Sequence, residues 1–288
     1  MRPRRSVLYM PGANERALEK AKGLAADALI LDLEDAVAPN AKAEARDRVC
    51  AAASSGEYGN REIAIRANGL DTDWHADDVA AIAAAGPDAI VVPKINSVDD
   101  VRSVESALDA AGAPTHTKIW AMVETPIAML HAEAIAGSSD RLTVLVMGTN
   151  DLAKELRAEH VPGRQPLLTG LGLCLLAARA TGKVILDGVY NDIKDDAGFL
   201  DECRQGRQMG FDGKTLIHPS QLDPCNQVFA PSPEAVGAAK EIIAAFEEAE
   251  REGRGVVTVN GRMIENLHVD EARRTLAQAD AIATLTTP

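Results

Sequence analysis

The sequence predicts an α/β fold in which eight parallel strands close into a (β/α)8 barrel, a TIM barrel, followed by a C-terminal helical extension. Short apolar runs alternate along the chain with segments that carry apolar residues at helical spacing, a pattern typical of parallel βαβ units. Aliphatic residues must build the core, because hydrophobic residues make up 46% of the chain and aromatic residues only 3%. The 288 residues are enough for one barrel of about 250 residues and an appendage.

Eight apolar runs are expected to form the strands of the barrel. In chain order they are Ser6–Met10, Ala28–Leu33, Glu62–Arg66, Ala89–Pro93, Lys118–Val123, Leu142–Met147, Lys183–Leu186 and Gly213–Ile217. Helices are expected between them, for example at Glu15–Ala26, Asp73–Ala85, Ser97–Ala111 and Gly198–Met209. A doubly wound open sheet is the alternative, but it usually has fewer strands and one ligand site. Polar groups at nearly every strand end favour the barrel, whose active sites lie at that face.

The pattern changes after Gln221, and we therefore divide the chain into a barrel domain, residues 1–229, and an extension, residues 230–288. The extension is predicted to contain a helix, a hairpin and a second helix, at about Glu234–Glu252, Gly255–Glu265 and Val269–Ala283. Asn260-Gly261 predicts a tight turn in the hairpin. So short a segment cannot hold a core alone, so we expect it to pack on the barrel or on a neighbouring subunit.

The acidic composition argues against some partners. A net charge of −13 repels phosphate backbones and anionic lipid headgroups, so we expect neither a nucleic-acid nor a membrane partner. No apolar stretch is long enough to span a bilayer. The four cysteines form no Cys-x-x-Cys pair, which indicates reduced thiols in a cytoplasmic protein.

Two carboxylates, Glu124 and Asp151, follow the fifth and sixth predicted strands. Carboxylates at adjacent strand ends repel each other unless they share a proton or a cation. Mg²⁺ takes one or two protein carboxylates together with waters and substrate oxygens, so the pair is a candidate metal site. The alternative is that Asp151 caps the next helix and Glu124 forms a salt bridge. No histidine or cysteine cluster indicates zinc.

Further charged residues follow the second and third strands. Asp32, Glu34 and Asp35 lie within four residues, and the alternation of side chains places Asp32 and Glu34 on one face. These acids could bind metal-coordinated waters, or could favour a helix N-terminus. Arg66 ends an otherwise apolar strand, where it suits a carboxylate or an oxyanion. It could equally be the partner of Glu34 or Asp35, and both interpretations could hold.

Three other strand ends supply weaker candidates. Lys94 could bind substrate, or could simply extend into solvent from the rim. Gly148, Thr149 and Asn150 lead into a helix, whose amides could bind a substrate carboxylate. His218 could act as a base, but a hydrogen-bonded structural role before a proline is favoured.

Taken together, these motifs resemble the citrate lyase β-subunit-like family of the HpcH/HpaI aldolase superfamily. The segments that carry the resemblance are Ser6–Gly12, Leu31–Val37, Ile65–Asn68, Val92–Lys94, Val123–Pro126 and Gly213–Pro219. The resemblance covers the whole chain in order. It implies a TIM barrel that assembles as a homotrimer or homohexamer and cleaves or forms C–C bonds in acyl-CoA thioesters such as malyl-CoA, citramalyl-CoA or citryl-CoA.

The resemblance also implies roles for individual residues. Glu124 and Asp151 would bind Mg²⁺, with Mn²⁺ as an alternative. Arg66 would stabilise the oxyanion or enolate of the thioester, and Glu34 and Asp35 would surround the metal site with negative charge.

Binding of the CoA phosphates to an acidic protein requires a local basic patch. Lys42 and Arg46 follow the acidic loop on the next predicted helix, and they are the candidates for this contact.

The tail departs from the family pattern. Many of these lyases carry an aspartate that reaches into a neighbouring subunit as acid or base, followed by a small residue and a proline. Here Glu265 replaces it and no proline follows. A glutamate moves the carboxylate by one methylene, and a misplacement of about 1 Å can lower a rate about 10²-fold.

This tail, with Met147–Leu156 and Gly170–Tyr190, resembles the (3S)-malyl-CoA thioesterase branch, whose members release malate and CoA. We therefore expect thioester hydrolysis, with Glu265 as base or nucleophile. The alternatives are a C–C lyase acting on malyl-CoA, β-methylmalyl-CoA, citramalyl-CoA or citryl-CoA, and a scaffold-dependent subunit of a citrate lyase complex.

Overall fold

A computed structural model describes residues 2–253 and 257–286 of the chain. In it, eight parallel strands form a closed barrel in which each strand pairs with the next and the last pairs with the first. The strands are β1 Ser6–Pro11, β2 Ala28–Asp32, β3 Glu62–Arg66, β4 Ala89–Val92, β5 Lys118–Val123, β6 Leu142–Met147, β7 Val184–Asp187 and β8 Gly213–Leu216. The predicted fold class is confirmed.

Helices follow the strands along the barrel. They are α1 Glu15–Ala21, α2 Lys42–Ser54, α3 His75–Ala85, α4 Val98–Ala110, α5 Pro126–Leu130, α6 Ala132–Ala136, α7 Thr149–Leu156, α8 Leu168–Thr181, α9 Asp196–Met209 and α10 Leu222–Phe229. Helix α4 begins where the sequence predicts, because the Ser97 side chain accepts from the Asp100 amide in a capping box. Helix α1 ends five residues earlier than predicted, just before the Lys22-Gly23 turn.

The alternation of side chains divides the barrel core into two layers. Val7, Ile30 and Trp120 belong to the cluster inside the barrel. Their neighbours in sequence, such as Leu8 and Leu29, pack between the strands and the helices. Strands buried on both faces form nearly continuous apolar runs, which is why the sequence locates most of them.

The strand ends differ from the predicted ones by one residue at several positions. Asp32 lies within β2, as predicted, and its main chain pairs with Pro11 and Arg66. Asp187, predicted to follow β7, lies within it and pairs with Lys214. Both aspartates are therefore held by the sheet, with their side chains buried at the rim of the barrel.

The chain divides into two compact units, residues 4–229 and the remainder. The second unit contains α11 Pro233–Arg251, the strands β9 Val257–Val259 and β10 Arg262–Ile264, and α12 Asn266–Thr286. Asn260 and Gly261 have φ values of 49° and 79°, as the predicted tight turn requires. The first residues of the predicted hairpin lie outside the described residues. None of the described helices is long and apolar enough to cross a membrane.

Candidate active site

The carboxyl ends of the strands surround a cavity of about 390 Å³. Because each strand places alternate side chains inside the barrel, the last inward residues of several strands meet there. They include Tyr9 of β1, Asp32 of β2, Arg66 of β3 and Glu124 after β5, and Asp151 in the first turn of α7 joins them. The sequence thus predicts correctly that charged groups converge at this face.

Arg66 is held in place by two acids. Its Nε and Nη2 each donate to a carboxylate oxygen of Asp32 at 2.7 Å, in a bidentate pair. Its Nη1 lies 2.7 Å from Glu34 Oε2, whereas the exposed Asp35 is 3.6 Å away. The guanidinium is buried and its two charged partners fix its orientation. Asp32 thus forms two hydrogen bonds with Arg66, whereas Glu34 forms one contact at the same distance and Asp35 lies farther away.

Glu124 is a buried carboxyl group with an altered acidity. Burial, and after it the neighbouring Asp151, raise its pKa to about 7, although the Lys94 amide, which donates to Oε1 at 2.8 Å, acts in the opposite direction. A Cβ at Gly148 would collide with Glu124, so the backbone must approach this side chain directly. Glu34 behaves similarly, since burial raises its pKa to about 7 despite the arginine beside it.

The carboxyl groups of Glu124 and Asp151 fit a hard divalent cation. Neither Glu124 nor Asp151 has an ion-pair partner among the described residues. Within the same part of the chain, no three or more His, Cys, Asp and Glu side chains form a metal-binding group. A metal here would have two protein carboxylates and would take its other ligands from water or substrate, which is the coordination that Mg²⁺ accepts. We name Asp32, Glu34, Arg66, Glu124 and Asp151 the mouth cluster.

Comparison with known proteins identifies the family of this chain. The model of the HpcH/HpaI aldolase/citrate lyase family matches residues 5–219. The chain belongs to this family. A second model, described as a C–C bond lyase of the TIM-barrel fold, matches residues 170–283.

Relatives of this HpcH/HpaI chain cover nearly its full length. A (3S)-malyl-CoA thioesterase of Cereibacter sphaeroides is 55% identical over 98% of this chain and 96% of its own. The citrate lyase subunit beta of Escherichia coli is 38% identical over 97% of this chain and 94% of its own. The structure of CitE from Mycobacterium tuberculosis, in complex with magnesium, acetoacetate and coenzyme A, superposes with a TM-score of 0.77 and 29% identity, covering 96% of this chain and 97% of that one.

The predicted substrate-binding residues of this HpcH/HpaI protein occupy different positions. Thr149 is buried and Asn150 is exposed, and both line the cavity at the start of α7. Asn150 exchanges two hydrogen bonds with Asn191, at 3.1 and 2.7 Å. Lys94 is exposed with a φ of 52°, and it lines a neighbouring cavity of about 360 Å³ with Glu34.

The two residues predicted to bind CoA have internal partners instead. Lys42 is buried, and its Nζ donates to Leu33 O at 2.8 Å, to Glu34 O at 2.7 Å and to Asn68 Oδ1 at 2.6 Å. Arg46 Nε donates to Asp78 Oδ1 at 2.7 Å. The Lys42 contacts tie α2 to the segments that follow β2 and β3, and the Arg46 contact ties α2 to α3. They argue for a structural role, and the contact with CoA phosphates stays a prediction.

Two other candidates can be placed. His218 is exposed and its Nδ1 accepts from the Ser220 amide at 3.2 Å, which agrees with a structural capping role. Glu265 is exposed in the second unit, directly before α12, and its amide donates to His268 Nδ1 at 3.1 Å. Its predicted acid/base role stays a prediction.

A second charged cluster joins the end of β7 to the start of β8. Asp187 Oδ1 accepts from Arg164 Nη1 at 2.6 Å, and its Oδ2 lies 3.3 Å from Lys214 Nζ. Lys214 is fully buried and also donates to Glu202 Oε1 at 2.7 Å. Arg164 and Glu202 line an adjacent cavity of about 550 Å³. We name Arg164, Asp187, Glu202 and Lys214 the closed cluster.

Sequence analysis missed Tyr9 and Met122, which also line the cavity of the mouth cluster. Both stand in apolar strands, where such residues normally indicate core. The available signal was alternation, since Tyr9 follows the inward-facing Val7 by two positions and Met122 precedes Glu124 by two.

Proposed function

We propose that this protein is a Mg²⁺-dependent enzyme that hydrolyses the thioester of (3S)-malyl-CoA, or of a closely similar acyl-CoA, to malate and CoA. One observation carries the proposal: two carboxyl groups without ion-pair partners among the described residues, Glu124 and Asp151, share a cavity with an oriented arginine. The thioesterase from Cereibacter sphaeroides, 55% identical along nearly the whole chain, supports this choice of substrate.

Glu124 and Asp151 are the residues that would hold the metal. Bound Mg²⁺ would supply a positive centre for the carboxylate and hydroxyl oxygens of the 2-hydroxyacid. Magnesium in the Mycobacterium tuberculosis relative supports this choice, and Mn²⁺ is the alternative. The raised pKa of Glu124 fits the proposal, because a buried carboxyl group beside a second one is stabilised by a cation.

The remaining residues would bind and polarise the substrate. Arg66 would donate to the thioester oxygen as that atom gains negative charge, while Asp32 and Glu34 hold the guanidinium in place. Asp35 would add negative charge beside Glu34. The start of α7, at Gly148, Thr149 and Asn150, would bind the substrate carboxylate through its amides, and Lys94 would add a positive charge at the rim.

Glu265 would act as the base for water, or as a nucleophile. In the first case it takes a proton from water, the oxygen adds to the carbonyl carbon, the C–S bond breaks, and CoA leaves as the thiol. We propose that glutamate at this position favours hydrolysis. Glu265→Asp should then raise the ratio of lyase to hydrolase activity, and an unchanged ratio would contradict the idea.

A C–C lyase is the second candidate, and the match to a C–C bond lyase model favours it. A base would take the hydroxyl proton of malyl-CoA and the C–C bond would break. Arg66 would hold the acetyl-CoA enolate, which a tail carboxylic acid would protonate. β-Methylmalyl-CoA, citramalyl-CoA or citryl-CoA would be alternative substrates.

A scaffold-dependent subunit is the candidate from another class, and the 38% identity to a citrate lyase subunit beta supports it. Activity of the isolated chain on free CoA thioesters would argue against this candidate. We place the enzyme in the cytoplasm because its four cysteines are free.

Product analysis on (3S)-malyl-CoA with Mg²⁺, with and without EDTA, tests the proposed function. Malate and free CoA, lost on addition of EDTA, are expected. Acetyl-CoA and glyoxylate would establish the lyase instead. If neither pair of products forms, the substrate assignment fails.

We further propose that the enzyme is a homotrimer or homohexamer in which Glu265 completes the site of a neighbouring subunit. Mixing Glu265→Ala chains with Arg66→Ala chains should then restore part of the activity that each lacks alone. Gel filtration of the mixture checks that the chains assemble. No recovery in a mixed oligomer would place both residues in one subunit.

Lys42 and Arg46 stay proposed contacts of the CoA phosphates. Arg46→Ala should raise KM for malyl-CoA if it binds them. An unchanged KM would leave only the structural role that its bond to Asp78 supports.

A further inference from the structure

Tyr9 has a position in the cavity that the proposed mechanism does not use. It is the one aromatic residue of β1. It packs against the cluster inside the barrel and also lines the cavity of the mouth cluster. Its ring lies under the guanidinium of Arg66, whose Cζ is 4.9 Å from the ring centroid. Strand β1 lies across the barrel from β5, the strand that Glu124 follows, so Tyr9 enters the cavity from the side opposite Glu124.

The Tyr9 hydroxyl has a poor partner. Its hydrogen-bond acceptor in the described chain is Met122 Sδ, at 3.9 Å. Arg66 Nη1 lies at the same distance, 3.9 Å, from the same sulfur atom. Nη1 already has Glu34 as an ion-pair partner at 2.7 Å, but its contact with the sulfur places it and the Tyr9 hydroxyl at one point of the cavity, where the thioether is a weak acceptor. Tyr9 is half-buried and lines the cavity, so a ligand in the cavity could replace the sulfur as the acceptor for both groups.

An oxygen atom would satisfy both donors. A carbonyl oxygen has two lone pairs and accepts two hydrogen bonds, and it binds them more strongly as negative charge develops on it. Met122 has a flexible, unbranched side chain that can move away from the donors when a ligand enters. Burial raises the pKa of Tyr9 above its usual value of 10.0, so the phenol stays protonated and remains a donor.

We propose that the Tyr9 hydroxyl and Arg66 Nη1 together bind the carbonyl oxygen of the acyl-CoA thioester, with Tyr9 as the second donor of an oxyanion site. Tyr9 keeps its proton throughout and contributes only a hydrogen bond. This inference rests on the proposed function, because it assigns the thioester end of the same substrate. It also predicts where the reacting carbonyl lies, on the Tyr9 and Met122 side of Arg66.

Two substitutions separate the contribution of the Tyr9 hydroxyl to activity from that of its ring. Tyr9→Phe removes the donor and keeps the ring under Arg66, whereas Tyr9→Leu removes both. Loss of one oxyanion-site donor typically lowers kcat about 10²-fold. We therefore expect Tyr9→Phe to lower kcat by about this factor, with little change in KM. Activity close to wild type in Tyr9→Phe, with a loss only in Tyr9→Leu, would reduce Tyr9 to a support for Arg66 and overturn the proposal.

Tyr58→Phe is the matched control. Tyr58 is also buried, but its hydroxyl donates to Leu18 O at 3.2 Å, among the outer layer of the core. Its loss should alter thermal stability and leave kcat within about twofold of wild type, since it reaches no substrate. Circular dichroism and thermal unfolding of all variants show whether each is folded.

A pair of substrate analogues gives a readout besides turnover. One is a malyl-CoA analogue with a CH₂ group in place of the thioester sulfur, which keeps the carbonyl. The other is a thioether that lacks the carbonyl oxygen. Wild type should bind the first more tightly than the second, and Tyr9→Phe should lose about 10-fold or more of that preference. An unchanged preference in a folded Tyr9→Phe protein would overturn the proposal.

The outcomes also distinguish this proposal from the proposed function. If wild type acts on malyl-CoA and Tyr9→Phe is as active, the oxyanion role of Tyr9 fails alone. If wild type neither turns over malyl-CoA nor binds the analogue that keeps the carbonyl, the proposed function fails and the Tyr9 proposal fails with it.

Discussion

The mouth cluster and the closed cluster use the same residue types at the same rim of the barrel, but they balance their charges differently. In the closed cluster, Arg164 and Lys214 face Asp187 and Glu202, and each carboxylate has a cation within 3.5 Å. In the mouth cluster, Arg66 is the ion-pair partner of Asp32 and Glu34. Glu124 and Asp151 have no such partner among the described residues.

This difference shows that a charge at a strand end does not by itself indicate function. The charges of the closed cluster balance and both of its carboxylates are paired, so it can hold the end of β7 against the start of β8 without any ligand. In the mouth cluster, burial raises the pKa of Glu124 to about 7, and it raises that of Glu34 to about 7 even beside Arg66, which destabilises the charged forms of both groups in the protein alone. Such an arrangement is expected where a ligand supplies the missing positive charge.

The largest effect is expected from removing a carboxylate of the mouth cluster. Glu124→Gln keeps the shape and an oxygen that can accept from the Lys94 amide, but it removes the charge. If Glu124 binds the metal, kcat/KM should fall about 10³-fold, since metal coordination contributes several kcal/mol to the transition state. Without metal at pH 8, the variant should be at least as stable as wild type, because a buried repulsion is gone. A loss of stability with activity retained would contradict a metal role.

Replacement of the arginine should have the next largest effect. Lysine keeps a positive charge but cannot form the bidentate pair with Asp32. We expect Arg66→Lys to lower kcat/KM about 10²- to 10³-fold, the range for loss of an oxyanion donor. Arg179→Lys is the matched control, because Arg179 forms a similar pair with Asp212, at 2.9 and 3.0 Å, on the outside of the barrel. Equal losses in the two variants would indicate a general loss of structure.

The pH dependence of metal binding should be smaller and has a defined sign. The pKa of Glu124 is raised from 4.5 to about 7 by burial and by Asp151. Its protonated form therefore adds stability that is present below 4.5 and lost as pH rises through about 7. Mg²⁺ needs the carboxylate, so its affinity should increase up to about 10-fold per pH unit below pH 7 and level off above it.

Thermal unfolding with and without Mg²⁺, at pH 6 and pH 8, measures this dependence. The stabilisation by Mg²⁺ should be larger at pH 8 in wild type and absent at both pH values in Glu124→Gln. An equal Mg²⁺ effect at the two pH values would show that no group with a pKa near 7 is coupled to the metal.

The sequence allowed Glu124 and Asp151 of the mouth cluster to be predicted, but not the closed cluster, and the reason is physical. Glu124 follows β5 directly and Asp151 lies in the first turn of the helix after β6, so the barrel topology alone brings them to one rim. Arg164 lies in a loop between α7 and α8 and reaches Asp187 across 23 residues of sequence. No strand position or periodic spacing indicates that contact, so the closed cluster could not be predicted.

Lys42 illustrates a different limit. A lysine after an acidic loop fits a phosphate site by charge alone, but its ammonium group is bound by the carbonyl oxygens of Leu33 and Glu34. Main-chain acceptors have no signature in the sequence. Most of the strands, in contrast, were predictable because burial on both faces leaves a nearly continuous apolar run in them.

We expect the smallest effect on activity from a substitution in the closed cluster. This substitution tests whether the two clusters differ in function as they differ in charge balance. Lys214→Met leaves Asp187 and Glu202 with one cation, and breaking a buried ion pair typically destabilises a protein by about 3–5 kcal/mol. Urea unfolding should show this loss. At a temperature where the variant is folded, its kcat/KM should stay within about threefold of wild type.

The double variant Lys214→Met with Glu202→Gln should regain part of the lost stability, because the charge balance of the closed cluster is restored. If Lys214→Met is instead folded and inactive, the closed cluster takes part in the reaction and charge balance does not separate the two clusters. If Lys214→Met keeps its activity, the closed cluster is dispensable for turnover. The site is then marked by carboxyl groups without an ion-pair partner, and not by the number of charges at the rim.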